Sequence, residues 1–351
     1  MAPAVLCAAL LAAVPAPPED DQGERPVRIE ADAGPGFDSN PLRVAGGGAP
    51  GADAFLAGAV RLGGGAGLDG GRLQLGASLS EGWRLFLRQR GADLLASRLE
   101  ARARCVPWDG GRLGADLALK DLSERAGVRS QHEARAQLSA GLQSGEVDLG
   151  VGAGWAAVVP RNASLRGFRR DGPVGALWTS WRPVRAHVLS GRYEVARWSH
   201  PHWPAGREDW THTAGLDLTW KGPALATLGY TFGYNRSSEP AATWRRHRLA
   251  ASVAAFLPLD FTLVGEASVQ WARHPAGVFL AEQILLGDAA ENQNAVVLQL
   301  VRQIGPGLEL SLGAASFGNE LGGEAGVAFR RTVAQLLLRW EMEATSPPGA
   351  P

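Results

Sequence analysis

The feature that most constrains this chain is an apolar–polar alternation of period two, recurring along most of its length. In "VRIEADA", Val27, Ile29, Ala31 and Ala33 fall on one face and Arg28, Glu30 and Asp32 on the other. "RLGADLALKD" sets Leu113, Ala115, Leu117 and Leu119 against Asp116 and Lys120. "HEARAQLSAGL" sets Ala134, Ala136, Leu138, Ala140 and Leu142 against Glu133, Arg135, Gln137 and Ser139. "EVDLGVGAGWAAVV" places Val147, Leu149, Val151, Trp155 and Val159 opposite Asp148 and a row of glycines. "FTLVGEASVQW" and "TVAQLLLRW" repeat the pattern. Successive side chains of a strand point to opposite faces, so each segment reads as a strand with one apolar and one polar face. Glycine, 46 of 351 residues, interrupts every candidate helix. No later segment approaches the roughly 18 apolar residues of a membrane-crossing helix.

The connections alternate as regularly as the side chains. "GLDGGR", "PWDGGR", "QSGE", "RPVRA", "KGPA", "LPLD" and "IGPG" are tight Gly, Pro and Asp turns of the kind that close hairpins. Between them lie longer polar loops around residues 38–53, 87–93, 125–131, 160–172, 199–210, 236–245, 273–292 and 317–328. Seven short turns interleaved with eight long loops predict about sixteen antiparallel strands, with fourteen as the alternative.

Short turns at one end, long loops at the other and strands with one apolar face describe a transmembrane barrel. Backbone amides find no partner in hydrocarbon, so a sheet crosses it only by closing on itself. The expected fold is therefore all-β, one up-and-down antiparallel barrel over residues 27–343. Trp108, Trp181, Trp220 and Trp340 fall near the short turns, and Trp83, Trp198, Trp210, Trp244 and Trp271 near the long loops. That distribution predicts two interfacial girdles, with Trp155 and Trp178 outside both. A soluble solenoid would need a fixed repeat, and a sandwich of this length an interdomain linker; neither is visible.

The apolar run "AVLCAALLAAV" predicts a signal peptide over residues 1–16, or to 18, and residues 344–351 read as a disordered tail. Cys7 falls inside that peptide, leaving Cys105 without an internal disulfide partner. With 35 cationic and 35 acidic side chains, the formal net charge is +0, and nothing points to nucleic acid. The expected location is the cell outer membrane of a Gram-negative organism. The expected surroundings are its lipid and lipopolysaccharide.

"GFDSNP", "GDAAENQNAVVLQLVRQIGPGLELSLGAASFGNE" and "FRRTVAQLLLRWEM" resemble proteobacterial outer-membrane barrels that open on a G-F/Y-D-x-N motif, here Gly36, Phe37, Asp38 and Asn40. The barrel portion of surface lipoprotein assembly modifiers shares this look. The resemblance implies insertion by the barrel assembly machinery, which reads the last strand. It departs in lacking a helical-repeat domain and in not ending on its aromatic residue.

Arg98, Glu100, Arg102, Arg104, Asp116, Lys120, Glu133, Arg135, Asp148, Arg192, Glu194, Asp217, Glu266 and Arg339 share the polar parity and are the expected pore lining. About sixteen strands enclose a lumen wider than side chains alone fill. A water-filled pore or export conduit for small polar solutes is expected. The alternative is a non-conducting structural or assembly barrel presenting loops to a protein. "RNASLRGFRRDG" gathers Arg161, Arg166, Arg169 and Arg170, read as a solvated loop or, folded inward, as an anion-selective constriction or a grip on lipopolysaccharide phosphates. His200, His202 and His212 lie near Glu208 and Asp209, yet two prolines favour a rigid loop over a metal site. Asp38 and Asn40 offer too few oxygens for calcium. His187 and Ser190 fall on opposite faces, and no G-x-S-x-G or H-E-x-x-H occurs, so no catalysis, metal or cofactor is expected.

Overall fold

The computed structural model describes residues 25–41, 51–68, 72–127, 130–273, 294–321 and 327–344. Residues 1–24 and 345–351, with the expected signal peptide and most of the expected tail, lie outside them. The described chain forms a closed sixteen-stranded antiparallel barrel in which each strand pairs with its sequence neighbours and the last with the first. The first half comprises β1 Arg25–Asp38, β2 Asp53–Leu68, β3 Leu73–Phe86, β4 Leu94–Cys105, β5 Gly111–Glu124, β6 Gln131–Ser144, β7 Val147–Pro160 and β8 Arg170–Val184. The second comprises β9 His187–His200, β10 Arg207–Lys221, β11 Ala224–Ser237, β12 Trp244–Leu257, β13 Phe261–Arg273, β14 Asn294–Gly305, β15 Leu308–Leu321 and β16 Val327–Ala344. The described strand ends bracket all fifteen expected connections, though β15 runs on to Leu321 inside the segment expected as loop, 317–328.

Three of the tight turns are built on left-handed glycines, Gly110 (φ 77°), Gly145 (φ 56°) and Gly307 (φ 64°), whereas the turn before β13 puts Leu259 (φ 65°) and Asp260 (φ 61°) in that region. The Gly110 and Gly307 carbonyls each also accept a 2.7 Å hydrogen bond from a neighbouring strand, Gln143 N–H to Gly110 and Glu341 N–H to Gly307. Turn and sheet are thus tied together at that end. At the seam, β1 and β16 stay in register from Val27↔Ala344 to Asp38↔Val333. The ladder lapses only at Gly34 and Pro35, because Pro35 has no N–H to donate.

Register partners share a face, and that divides the residues into two sets. Leu117, Leu138, Leu177, Leu216, Leu249, Leu298 and Leu338 belong to one, and all are exposed. The other holds the charges, and its ion pairs reach over intervening strands, as from Arg135 on β6 to Glu194 on β9 at 2.8 Å. Such a reach closes on the concave side, so the charged face is the lumen and the leucine face the exterior. The inner face of β7 carries Gly150, Gly152 and Gly154, and long side chains lie flat over it. A Cβ on Gly152 would sit 2.1 Å from Gln137 Nε2.

The tryptophan expectation needs correction. Trp83, Trp210 and Trp271 face outward at the long-loop end, but Trp198 and Trp244 turn inward, as partners of Asp209 and Asn235. Trp198 packs on Ala156, Val174 and Ala196, which fill the lumen margin there. Nearness to a strand end fixes height in the wall but not face. Trp178 also points inward, over Gly150.

Candidate functional site

All fourteen charged residues of the polar parity stand on the lumen face. Asp116 accepts from two arginines of β4: its Oδ1 is 3.3 Å from Arg102 Nε and 2.9 Å from Arg104 Nη2. Lys120 Nζ stands 3.8 Å from Glu133 Oε1. Glu194 takes both Arg135 and Arg192, the latter at 2.6 Å. Asp148 pairs with Arg112, Arg339 with Glu309 at 3.4 Å, and Arg98 with Glu100 at 2.5 Å. Asp217 on β10 is the register partner of Ser190 on β9, and on β13 Ser252 and Val297 flank Glu266.

The two halves of the lumen differ. On β4–β9 the inner charges reach water although paired: Arg102 and Arg192 keep 61% and 62% of their side-chain surface, while their carboxylates Asp116 and Glu194 keep 36% and 24%. From β13 round to β3 the inner face also carries ion pairs, Arg28 and Arg61 with Glu30 among them, but more of it is buried. Gln270, Gln299, Ser311 and Gln335 are buried there. Phe55, Phe86 and Phe317 form an inward apolar cluster with Ala92, Val297 and Val333. Sequence parity gives Phe55 and Phe86 no such role, because the flanking strands are rich in glycine and alanine on both faces.

The opening motif closes the rim above this wall. Gly36 faces inward with the Phe55 ring against it, where a Cβ would lie 2.2 Å from the ring edge. Phe37 points outward and Asp38 inward, where its carboxylate is fully buried. Arg331 donates to it through Nε at 2.9 and 3.0 Å and through Nη2 at 2.5 Å. Arg84 Nη1 stands 3.7 Å away and Asn40 N–H donates at 3.0 Å. Burial raises the Asp38 carboxyl, but the Arg331 hydrogen bonds and charge outweigh it and hold the pKa below the ordinary range. The guanidinium carbon of Arg84 lies 4.5 Å from the Phe55 ring centroid, covering the ion cluster with an aromatic ring. The G-F-D-x-N and R-R segments, 293 residues apart for Asp38 and Arg331, meet here as one ion cluster. Sequence shows both segments but not their contact, which depends on β1 pairing with β16.

A second buried cluster forms where β9 runs into β10. His200 Nε2 lies 3.2 Å from Asp209 Oδ2, and Arg207 Nε donates to Asp209 Oδ1 at 2.9 Å. Burial pushes the Asp209 carboxyl up, but hydrogen bonds from His200, Arg207 and Ser237 hold it well below the carboxylate range. His212 points outward to Tyr193 Oη at 2.7 Å, so His200 and His212 do not converge. No His, Cys, Asp or Glu group among the described residues has metal-binding geometry. Arg207 lies over Trp203, whose ring meets Phe168 edge-on at 5.7 Å, joining this loop to the arginine-rich one.

That arginine-rich loop does not gather its four cations. Asn162 caps a 3-10 helical stretch, Ala163–Phe168, by accepting from Ser164 N–H at 3.0 Å. Ahead of the turn, Arg161 leaves outward and bonds Asp121, which also binds His132 at 2.8 Å. After it, Arg170 turns inward, 5.0 Å from the Trp198 ring centroid. Arg166 and Arg169 are exposed between them. A four-arginine constriction is therefore absent; the capped turn sends its flanks to opposite faces.

No protein-family model and no curated protein matches the chain. Among solved structures, it is similar to a triple mutant of Rhodopseudomonas blastica porin, with 12% identity, a TM-score of 0.44 and coverage of 90% of this chain and 100% of that one. It is likewise similar to a bacterial polysaccharide outer membrane secretin, with 10% identity, a TM-score of 0.48 and coverage of 92% and 100%.

Proposed function

We propose that the chain is an outer-membrane channel whose lumen passes small polar solutes through the β4–β9 half. The exposure of Arg102 and Arg192 inside a closed barrel supports this reading most directly: paired guanidinium groups keep that much free surface only beside water. The exterior supports the location, since a belt of exposed leucine, valine and alanine around a sheet without edges suits hydrocarbon. Insertion by the barrel assembly machinery and contact with outer-membrane lipid accompany that location. Fixed charges on opposed strands of the lumen produce a transverse field that orders polar solutes.

Purified protein in a planar bilayer tests the proposal. Discrete conductance steps are expected, with an ion preference that shifts when Arg102 and Arg192 are reversed in charge. A bilayer that stays silent although the protein is inserted and folded would sink the channel reading in favour of a barrel that displays its loops to a protein partner.

A further inference from the structure

The exterior of β9–β13 carries, at its long-loop end, cations for which the lumen reading has no use. Arg197, Arg236, Arg245 and Arg273 share the outward parity and are exposed. Trp210 is the register partner of both Arg197 and Arg236, and Arg245 that of Arg273. Glu208 neutralises Arg197, accepting at 2.8 and 3.0 Å. Among the described residues no carboxylate is paired with the other three. Arg245 and Arg273 face each other directly across adjacent strands, where like charges repel. Arg245 is nonetheless held at the wall, its guanidinium carbon 5.6 Å from the Tyr234 ring centroid.

The wall changes character with depth. Below the arginines, the His247 ring stacks on Trp271 with centroids 5.4 Å apart, and Tyr230 Oη lies 2.8 Å from His247 Nδ1. Deeper still, Leu228, Leu249 and Val269 are exposed. Cation, polar aromatic and aliphatic layers thus succeed one another from the rim inward. A soluble anion or acidic peptide would leave the lower layers uncovered, and a neutral lipid would leave the arginines unpaired. An amphiphile with a phosphate head and acyl chains meets all three. The outer wall of β3–β5 lacks this order: Glu81 and Asp121 face outward there, and Asp121 neutralises Arg161.

We propose that this wall binds one phosphate-bearing, acylated lipid of the outer leaflet, its phosphate seated between Arg245 and Arg273 with Arg236 beside it. The inference goes beyond the channel reading and requires only that the long-loop end face the outer leaflet. Arginine suits the task because its planar fork donates two parallel hydrogen bonds to phosphate.

Native mass spectrometry of the detergent-solubilised barrel titrated with lipid A tests it, with a heat-modifiable gel shift confirming that each variant is folded. One lipid A per barrel is expected. Affinity falls about tenfold in Arg245→Gln/Arg273→Gln, the loss expected of a charge-assisted hydrogen bond. It persists in Arg245→Lys/Arg273→Lys and is unchanged in Arg161→Gln. Equal binding by the Gln double variant, equal binding of dephosphorylated lipid A, or displacement by millimolar inorganic phosphate would each overturn the proposal. Conductance is read separately, so failure here leaves the channel reading standing.

Discussion

Asp38 sits fully buried between two arginines, and that makes its charge important to both. Asp38→Asn removes the buried carboxylate toward which both Arg331 and Arg84 are directed. Breaking a buried pair from one side costs about 3–5 kcal/mol. Urea unfolding of the refolded barrel should register a loss of that order, and Asp38→Asn/Arg331→Gln a loss smaller than the two single changes added together. Additive losses would mean that the contact carries no coupling energy. At Asp209 the folded-state pKa lies below the unfolded one, near ~3.9. The stabilisation is thus complete above the unfolded value and is lost as pH falls through the folded one. The unfolding free-energy difference between the parent protein and Asp209→Asn should therefore be flat from pH 7 to about 5 and shrink below about 4. A difference that already shrinks between pH 7 and 5 would overturn the assignment to Asp209.

Strand β7 shows how glycine serves an element whose inner face must carry long neighbours. At Gly152 the obstacle to a Cβ is the Gln137 amide, the mobile end of a side chain, whereas at Gly154 it is the Ala136 carbonyl, 2.1 Å away and fixed in the sheet. Gly152→Ala should be tolerated and Gly154→Ala should lower stability by at least about 1 kcal/mol, as overpacking does; thermal loss of the heat-modifiable band ranks them. The alternation made the polar parity of this strand and its neighbours legible, because period two survives even where glycine replaces the side chain. What it left out are contacts made across strands. The partner of Asp38 and the meeting of Phe55 with Phe86 depend on register, whereas the inward turn of Trp198 follows from the parity it shares with Arg192 and Glu194. The loop arginines failed for a related reason: proximity in sequence says nothing about which flank of a capped turn leaves on which face.

For the molecule as a whole, closure is the property on which lumen, girdle and rim all depend, and it rests on one antiparallel seam. In that seam Ala33 and Leu338 are direct partners, both outward. Directly opposed residues bring their Cα atoms to about 4.5–5.5 Å, inside the range a disulfide accepts. Leu336, also outward, is one pair further along and beyond that reach. In a Cys105→Ser background, Ala33→Cys/Leu338→Cys should oxidise to a species that stays closed in hot detergent and opens on reduction, while Ala33→Cys/Leu336→Cys should not. A two-residue slip of β16 along β1 would reverse the pair that oxidises, and would move Arg331 off Asp38 and empty the rim of its ion cluster. The same gel thus reports register at the seam and, through it, whether the two ends of the chain meet as the buried carboxylate requires.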